Sequence, residues 1–250
     1  MSKKLIYSAL SEQGLRDNNE DLLVACPISN DCYLFICIDG IGGENGGEVA
    51  ASIAASSIQS YLYDTPKADL NELRMAVTAA NNNIIEMQKN PHVAHMGCVL
   101  TACIINTKTG MMHISHVGDT RLYTLQSDSG SLIKQTKDDS FVGQLFDQGL
   151  ISEEEAMTHP KRNRINKCLG AKPLTYFSDY LYTTSISIDR IQSVLLCSDG
   201  LYDVVSSKEI RMVLSDSGSP ETNSKELVEM AMRNRSHDNI SVICININNL

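Results

Sequence analysis

The sequence has 250 residues, of which 42% are hydrophobic and 20% charged, enough apolar material for one large or two small folded domains. Its formal net charge of −9 argues against a protein that binds nucleic acid or an anionic membrane, because both need a basic surface. It contains no apolar run of about 18 residues, so we expect no membrane-spanning helix.

The eight cysteines show no C-x-x-C spacing, and several lie inside apolar runs that resemble strands. We interpret them as small buried hydrophobic residues of a protein in a reducing compartment. The N-terminus also lacks the long apolar stretch of a signal peptide. Together these features predict a cytoplasmic location.

The first half of the chain predicts one strand followed by two helices. An unbroken apolar run at 34–38 indicates a buried strand. A glycine-rich turn then leads into an alanine-rich segment at 48–63, which predicts a helix. A second helix is predicted over 70–89, where Asp69 is suited to be the N-cap and Glu72 lies three residues further on, as in a capping box.

The rest of the chain predicts groups of strands separated by groups of helices. Strands are predicted at 99–106, 111–117, 121–126, 194–197 and 240–247, and helices at 207–215 and 222–234. Paired helices between groups of strands favour an α+β fold with antiparallel sheets over a doubly wound parallel sheet. The less regular region 137–180 is predicted to be a mobile flap with one short capped helix. No repeat or linker interrupts the chain, so residues 1–250 are predicted to form a single domain.

Three predicted strands end at an aspartate that adjoins a glycine, namely Asp39, Asp119 and Asp199, and Asp238 precedes the last strand. Each pair alone is also typical of a simple turn. The same pairing of aspartate with glycine at the end of three predicted strands favours a functional site. A packed strand holds its last side chain rigidly, and glycine lets a backbone carbonyl approach a ligand. Oxygen ligands select Mg²⁺ or Mn²⁺ over zinc, so the pattern predicts a hard divalent metal site.

A charged segment at 14–21 contains Arg16, Glu20 and Asp21. Such a run can be an exposed charged turn. It can also combine a guanidinium fork that binds phosphate with further metal-binding carboxylates.

Five motifs occur in a fixed order along nearly the whole chain. They are Gly14-Leu15-Arg16-x-x-Asn19-Glu20-Asp21, Asp39-Gly40-Ile41-Gly42-Gly43, Val117-Gly118-Asp119-Thr120-Arg121, Ser198-Asp199-Gly200-Leu201 and Asp238-Asn239-Ile240. In this order they resemble the metal-dependent protein phosphatases of the PPM, or protein phosphatase 2C-like, family in its compact bacterial form. The resemblance implies a four-layer α-β-β-α sandwich, in which two antiparallel sheets are flanked by helices and the site lies at one end.

The resemblance also implies roles for the acidic residues. Asp39 would bridge two Mn²⁺ or Mg²⁺ ions, and the Gly40 carbonyl would join one of them. Asp199 and Asp238 would complete the coordination of the first ion.

Glu20 and Asp21 would serve the second ion, partly through water, and Asp119 would bind a third, weaker ion. Arg16 would bind the substrate phosphate and, with Asp39, is the expected catalytic residue. The implied reaction is hydrolysis of phosphoserine and phosphothreonine on proteins by a metal-bridging hydroxide. Phosphorylated proteins would be the substrates, and a serine/threonine kinase the partner.

Some positions depart from the family pattern. Ile41 and Glu44 stand where many members have histidine, and Asp139 replaces the histidine of an Asp-His-Ser motif. These differences leave the general acid unassigned, with His237 as one candidate. A phosphate-sensing protein with weak activity and a hydrolase of small phosphate esters are the alternative functions.

Overall fold

The computed structural model describes residues 5–42, 46–63, 67–175, 179–216 and 218–247. Within these residues, ten strands form two antiparallel five-stranded sheets. The first sheet has the order β1 (Ile6–Glu12), β10 (Ile240–Asn246), β9 (Ile191–Cys197), β6 (Arg121–Gln126) and β7 (Leu132–Lys134). The second has the order β2 (Leu22–Pro27), β3 (Cys32–Ile41), β4 (Gly97–Asn106), β5 (Met111–Val117) and β8 (Tyr182–Ser187).

Helices cover the outer faces of both sheets. The second sheet packs against α1 (Gly46–Tyr63) and α2 (Leu70–Met87), and the first against α6 (Ser207–Ser215) and α7 (Pro220–Arg233). Shorter helices are α3 (Phe141–Asp147), α4 (Glu153–Met157) and α5 (Asp199–Tyr202). The predicted four-layer sandwich is confirmed. No described helix is long and apolar enough to cross a bilayer.

Strand β3 shows why the central strands read as unbroken apolar runs. Ile36 and its alternate neighbours face α1, whereas Phe35 and Cys37 face the other sheet. Successive side chains point to opposite faces of a strand, and both faces of β3 are buried. Burial on both sides therefore removes the polar alternation that a half-exposed strand would show.

The apolar runs predict the six interior strands of the two sheets, whereas the four edge strands β1, β2, β7 and β8 were not predicted. Strands β1, β7 and β8 lack a long apolar run, but β2 has one at 22–26 that was missed. An edge strand has a neighbour on one side only and carries more polar residues. In β1, for example, Ile6 is 49% exposed and the strand ends in a glutamate. The short helices α3 and α5 also have too few residues to show a helical period.

The predicted helix caps are largely confirmed. Asp69 accepts hydrogen bonds from the first turn of α2, although Glu72 accepts from Tyr61 instead of completing a capping box. Complete capping boxes do form at Ser152 and Ser206.

Candidate active site

Antiparallel register brings the predicted site residues to one end of the sandwich. The β3–β4 register pairs Ile41 with Gly97, and the β6–β9 register pairs Arg121 with Cys197. The C-terminal ends of β3, β5 and β9 therefore lie beside the N-terminal ends of β4, β6 and β10. Because the short link 118–120 joins β5 of one sheet to β6 of the other, the two sheets share this end.

Asp39 and Gly40 lie within β3, not after it, which corrects the predicted strand end at residue 38. The strand continues because Asp39 still pairs with Val99 of β4. A Cβ at Gly40 would collide with the carbonyl oxygen of Gly47 near the start of α1. Glycine is thus required for the helix start to pack on the strand end.

Asn239 ties the N-terminal charged segment to β10. Its Oδ1 accepts from the backbone N–H of Glu20 at 2.9 Å. Its Nδ2 donates to the carbonyl oxygens of Gln13 at 2.8 Å and Asn18 at 2.9 Å. The Glu20 carbonyl accepts in turn from Gly40 N–H at 3.2 Å. These bonds hold Glu20 beside the end of β3.

Asp21 is linked to Asp199 by Ser198, the residue that precedes Asp199 in the chain. Ser198 occupies the N-cap position of α5, and its Oγ donates to Asp21 Oδ2 at 2.7 Å instead of to the helix backbone. Asp199 is the first residue of a short helix, where the sequence predicted the end of a strand. Burial raises the pKa of Asp21 to about 6, although hydrogen bonds from Ser241 and Ser198 oppose the rise.

Asp119 is 4% exposed, and its Oδ1 has no hydrogen-bond partner in the part of the chain that the structure describes. Burial, with a further contribution from Asp138, raises its pKa to about 7. The Tyr202 hydroxyl donates to its backbone carbonyl at 2.9 Å. Gly118 before it has φ +99°, and a Cβ there would collide with Val99, so only glycine permits this turn.

The carboxylates form one electrostatic cluster. Burial raises the pKa of Asp39 well above its ordinary value, and the charges of Asp199, Asp21, Asp119 and Asp238 raise it further. Burial raises the pKa of Asp199 in the same way. A group of like charges withdrawn from water favours a bound proton or a bound cation.

This donor set fits a hard divalent cation. All candidate ligands are oxygens, which suit Mg²⁺ and Mn²⁺, and the unpartnered Oδ1 of Asp119 lacks the bond that a buried carboxylate normally has. In the described residues, however, no three His, Cys, Asp or Glu side chains already stand as a closed ligand cage. The carboxylates share an end of the sandwich without converging on one point.

Arg16 is exposed and already paired. Its Nη2 donates to Asp238 Oδ2 at 2.6 Å, and its Nε donates to the His237 carbonyl at 3.1 Å. The hydrogen bond to Asp238 raises the Arg16 pKa, and so do the charges of Asp199 and Asp39. Arg16, the predicted phosphate-binding residue, is therefore hydrogen-bonded to Asp238, a predicted metal ligand.

The predicted residues line two clefts. The first is open and polar, and its lining includes Arg16, Glu20, Asp39, Gly40 and Asp238. The second contains Asp119 and Asp199 and is walled by residues of the predicted flap. Asp21 is not part of the lining of either cleft and accepts the hydrogen bond from Ser198. Gly43 and Glu44, noted in the motif analysis, lie outside the described residues.

The structure adds site residues that sequence reasoning missed. Asp203 follows α5 and contributes to the raised pKa of Asp199, four residues earlier. Its spacing of four from Asp199 was the available signal. Arg121, part of a motif, donates twice to Asp138 and lies 3.4 Å from the Tyr202 ring centre. It therefore braces the Asp119 turn and does not face the first cleft.

Comparison with known proteins places the chain in a family. Residues 14–233 match the family described as protein phosphatase 2C. The chain belongs to the protein phosphatase 2C family. The resemblance inferred from the five motifs is thereby confirmed.

Individual protein phosphatase 2C relatives agree with this assignment. Serine/threonine protein phosphatase PstP of Mycobacterium tuberculosis is 35% identical over 247 residues, which cover 97% of this chain and 45% of that protein. The chain therefore spans about half the length of this relative. Among solved structures, serine/threonine phosphatase Stp1 from Staphylococcus aureus has a TM-score of 0.89 at 28% identity, with 99% of this chain and 97% of that one covered. The PstP catalytic domain in complex with two manganese ions has a TM-score of 0.81 at 33% identity, with 97% of each chain covered.

Proposed function

We propose that this chain is a metal-dependent serine/threonine protein phosphatase that hydrolyses phosphoserine and phosphothreonine on proteins. The observation that carries the proposal is the cluster of partly buried carboxylates at one end of the sandwich, beside the cation of Arg16, in a member of the protein phosphatase 2C family. The PstP structure with two manganese ions supports a metal-dependent reaction.

The acidic residues would hold Mn²⁺ or Mg²⁺. In this proposal Asp39, the Gly40 carbonyl oxygen, Asp199 and Asp238 would hold a first ion, and Asp39 would also help to hold a second. Bound ions would neutralise charge on the phosphoryl group and lower the pKa of the attacking water.

The remaining acidic residues are assigned by the same reasoning. Glu20 and Asp21 would serve the second ion, and Asp119 a third. The Oδ1 atom of Asp119 supports the third site, because it is buried without a hydrogen-bond partner among the described atoms.

Arg16 would bind the phosphate of the substrate. Its Nη1 makes none of the hydrogen bonds seen in the described residues, so it can meet a phosphate oxygen while Nη2 stays on Asp238. Phosphoryl transfer needs positioning and charge neutralisation more than a protein nucleophile. A guanidinium fixed by Asp238 supplies positioning with little loss of side-chain freedom.

The proton for the leaving alcohol would come from solvent. The described lining of the first cleft contains no His, Lys, Tyr or Cys side chain. Ile41 offers no proton, and His237 faces Arg16 through its backbone carbonyl. The cleft is open, so water can reach the leaving group.

The test is an assay of the purified chain with a phosphoserine peptide and an aryl phosphate. We expect manganese-dependent turnover of both that a chelator abolishes. Higher kcat/KM for the aryl ester than for any phosphopeptide would favour the small-ester hydrolase. Phosphopeptide binding without turnover at any metal concentration would favour the phosphate sensor.

The biological setting follows from the same proposal. Phosphorylated proteins would be the substrates, and a serine/threonine kinase would produce them in a signalling pathway. All eight cysteines are free, which supports a cytoplasmic location because reducing compartments preserve thiols.

A further inference from the structure

The segment 161–167, here called the basic segment, is a local exception in an acidic protein. It contains Lys161, Arg162, Arg164 and Lys167 and no acidic residue, whereas the whole chain has a formal net charge of −9. A charge run of this kind is commonly a solvated surface. Its position in the fold, however, indicates a role in binding.

The basic segment lies at the border of the candidate active site. Arg162 lines the second cleft together with Asp119 and Asp199. Its Nε donates to Asp203 at 3.0 Å, directly after the short helix that Asp199 begins. Arg16 lines the first cleft, and its pKa is raised by the charges of Asp199 and Asp39. Cations therefore border the carboxylate cluster in both clefts.

The backbone of the basic segment is held in place. Phe141 N–H donates to the Arg164 carbonyl at 2.9 Å, and Asn166 N–H donates to the Asp139 carbonyl at 2.7 Å. The Lys167 ammonium lies 2.8 Å from the Asp139 carboxylate, which also accepts from Gly118 N–H. The segment is thus fastened to the turn that carries Asp119.

Two cations of the segment are not neutralised by the described carboxylates. Arg164 is exposed, and its side chain makes none of the described hydrogen bonds or ion pairs. Lys161 is exposed, and its ammonium lies 5.4 Å from the Phe141 ring centre. On the adjoining α4, the Glu153 carboxylate accepts hydrogen bonds from Ser207, which hold it in a place where it forms no described ion pair with the segment.

Glu155 on α4 accepts from Ser152 N–H, and the Glu154 carboxylate has no described partner. The three glutamates of α4 keep their negative charges, but none of them forms a described ion pair with Lys161 or Arg164. Both cations therefore remain available to an anionic group of a substrate.

From this placement we propose that the basic segment is a substrate subsite for anionic groups that flank the phosphorylated residue. The groups it would take are Asp or Glu side chains or a second phosphate. The inference rests on the proposed function and extends it to a substrate class. Exposed ion pairs are individually weak, so Lys161 and Arg164 together should favour an acidic flank by roughly 3- to 10-fold. Added salt should reduce the preference.

The experiment uses phosphoserine peptides of equal length with acidic, neutral or basic flanks, and one with a second phosphoserine. Values of kcat/KM are measured with Mn²⁺ for the wild type and for Lys161→Gln/Arg164→Gln. The control is Lys225→Gln/Arg190→Gln, which removes the same charges from side chains that are 72% and 80% exposed elsewhere. Aryl phosphate serves as a substrate without flanks.

The inference predicts that the wild type prefers acidic flanks, mainly through KM, and that only the Lys161/Arg164 variant loses the preference. Its aryl phosphatase activity should match the wild type. A stronger effect of the second phosphate would identify phosphate as the favoured flank. A wild type that ignores flanking charge, or a preference that survives in the variant, would overturn the inference.

Binding separates this inference from the proposed activity. Labelled peptides are titrated into Asp39→Asn and into Asp39→Asn with the two glutamine substitutions, and Kd is read from fluorescence anisotropy. Tighter binding of acidic peptides only with Lys161 and Arg164 present supports the subsite even without turnover. Equal Kd values for all flanks contradict the subsite while leaving the phosphatase proposal intact.

Discussion

The guanidinium of Arg16 donates a 2.6 Å hydrogen bond to Asp238 Oδ2 across 222 positions of sequence. Two residues with different proposed roles, phosphate binding and metal binding, are therefore in direct contact. Each is expected to orient the other.

Arg16→Ala should raise KM for an aryl phosphate by about 10- to 100-fold with a smaller change in kcat. The reason is that charge-assisted hydrogen bonds to phosphate contribute about 1.5–3 kcal/mol. Steady-state kinetics with Mn²⁺ would measure the change, and Arg190→Ala, at an exposed side chain, should behave as wild type. An unchanged KM would remove Arg16 from phosphate binding.

Asp39→Asn should reduce kcat by about 100-fold or more while the protein stays folded. The amide removes a charge from the centre of a repelling cluster, so the metal-free variant should also melt at a higher temperature than the metal-free wild type. Mn²⁺ should raise the Tm of the wild type much more than that of the variant. Near-wild-type turnover in Asp39→Asn would show that this residue does not bridge the ions.

Asp119→Ala should lower kcat and leave two metal ions bound. The hydrogen bond from Tyr202 goes to the backbone carbonyl, so the turn should persist without the side chain. Metal content after gel filtration, measured by mass spectrometry, would give the stoichiometry. Loss of all bound metal would mean that Asp119 belongs to the main centre.

Acid should destabilise the protein through His116. The ring is fully buried, with Nδ1 2.9 Å from Thr101 Oγ1 and Nε2 donating to the Lys137 carbonyl at 3.0 Å. Burial lowers its pKa, so the folded protein takes up the proton less readily than the unfolded chain. Its contribution to stability is therefore complete above the unfolded pKa of about 6.5 and decreases as pH falls toward the lower folded pKa.

The effect can be isolated with His116→Gln. Urea unfolding in chelator at pH 7.5 and 5.5 measures the histidine as a difference between the two proteins, because Asp21 and Asp119 take up protons in both. The change in stability on acidification should be less unfavourable in this variant than in the wild type. The wild-type slope from one histidine cannot exceed about 1.4 kcal/mol per pH unit. The exposed His92→Gln should keep the wild-type slope. Identical pH dependence in His116→Gln would show that this ring does not titrate in the range.

The limits of the sequence pattern are physical. Interior strands such as β3 were predictable because burial on both faces demands unbroken apolar residues. The edge strands β1 and β8 were not predicted because solvent on one side permits polar residues. The apolar run of β2 at 22–26 was an available signal that was missed. The end of β3 was misplaced at residue 38 because pairing of Asp39 with Val99 depends on a strand about 60 residues away.

The sequence by itself determined the family, the layered fold and the residues that carry the candidate chemistry, because strand-end aspartates and their glycines are local features. Only the tertiary structure decided how those residues meet. It paired Arg16 with Asp238, joined Asp21 to the start of α5 and left Asp119 Oδ1 without a partner. It also placed the basic segment beside Asp203. These contacts arise from antiparallel register and from links between the two sheets, which bring together residues far apart in the chain and leave no local signal in composition or spacing.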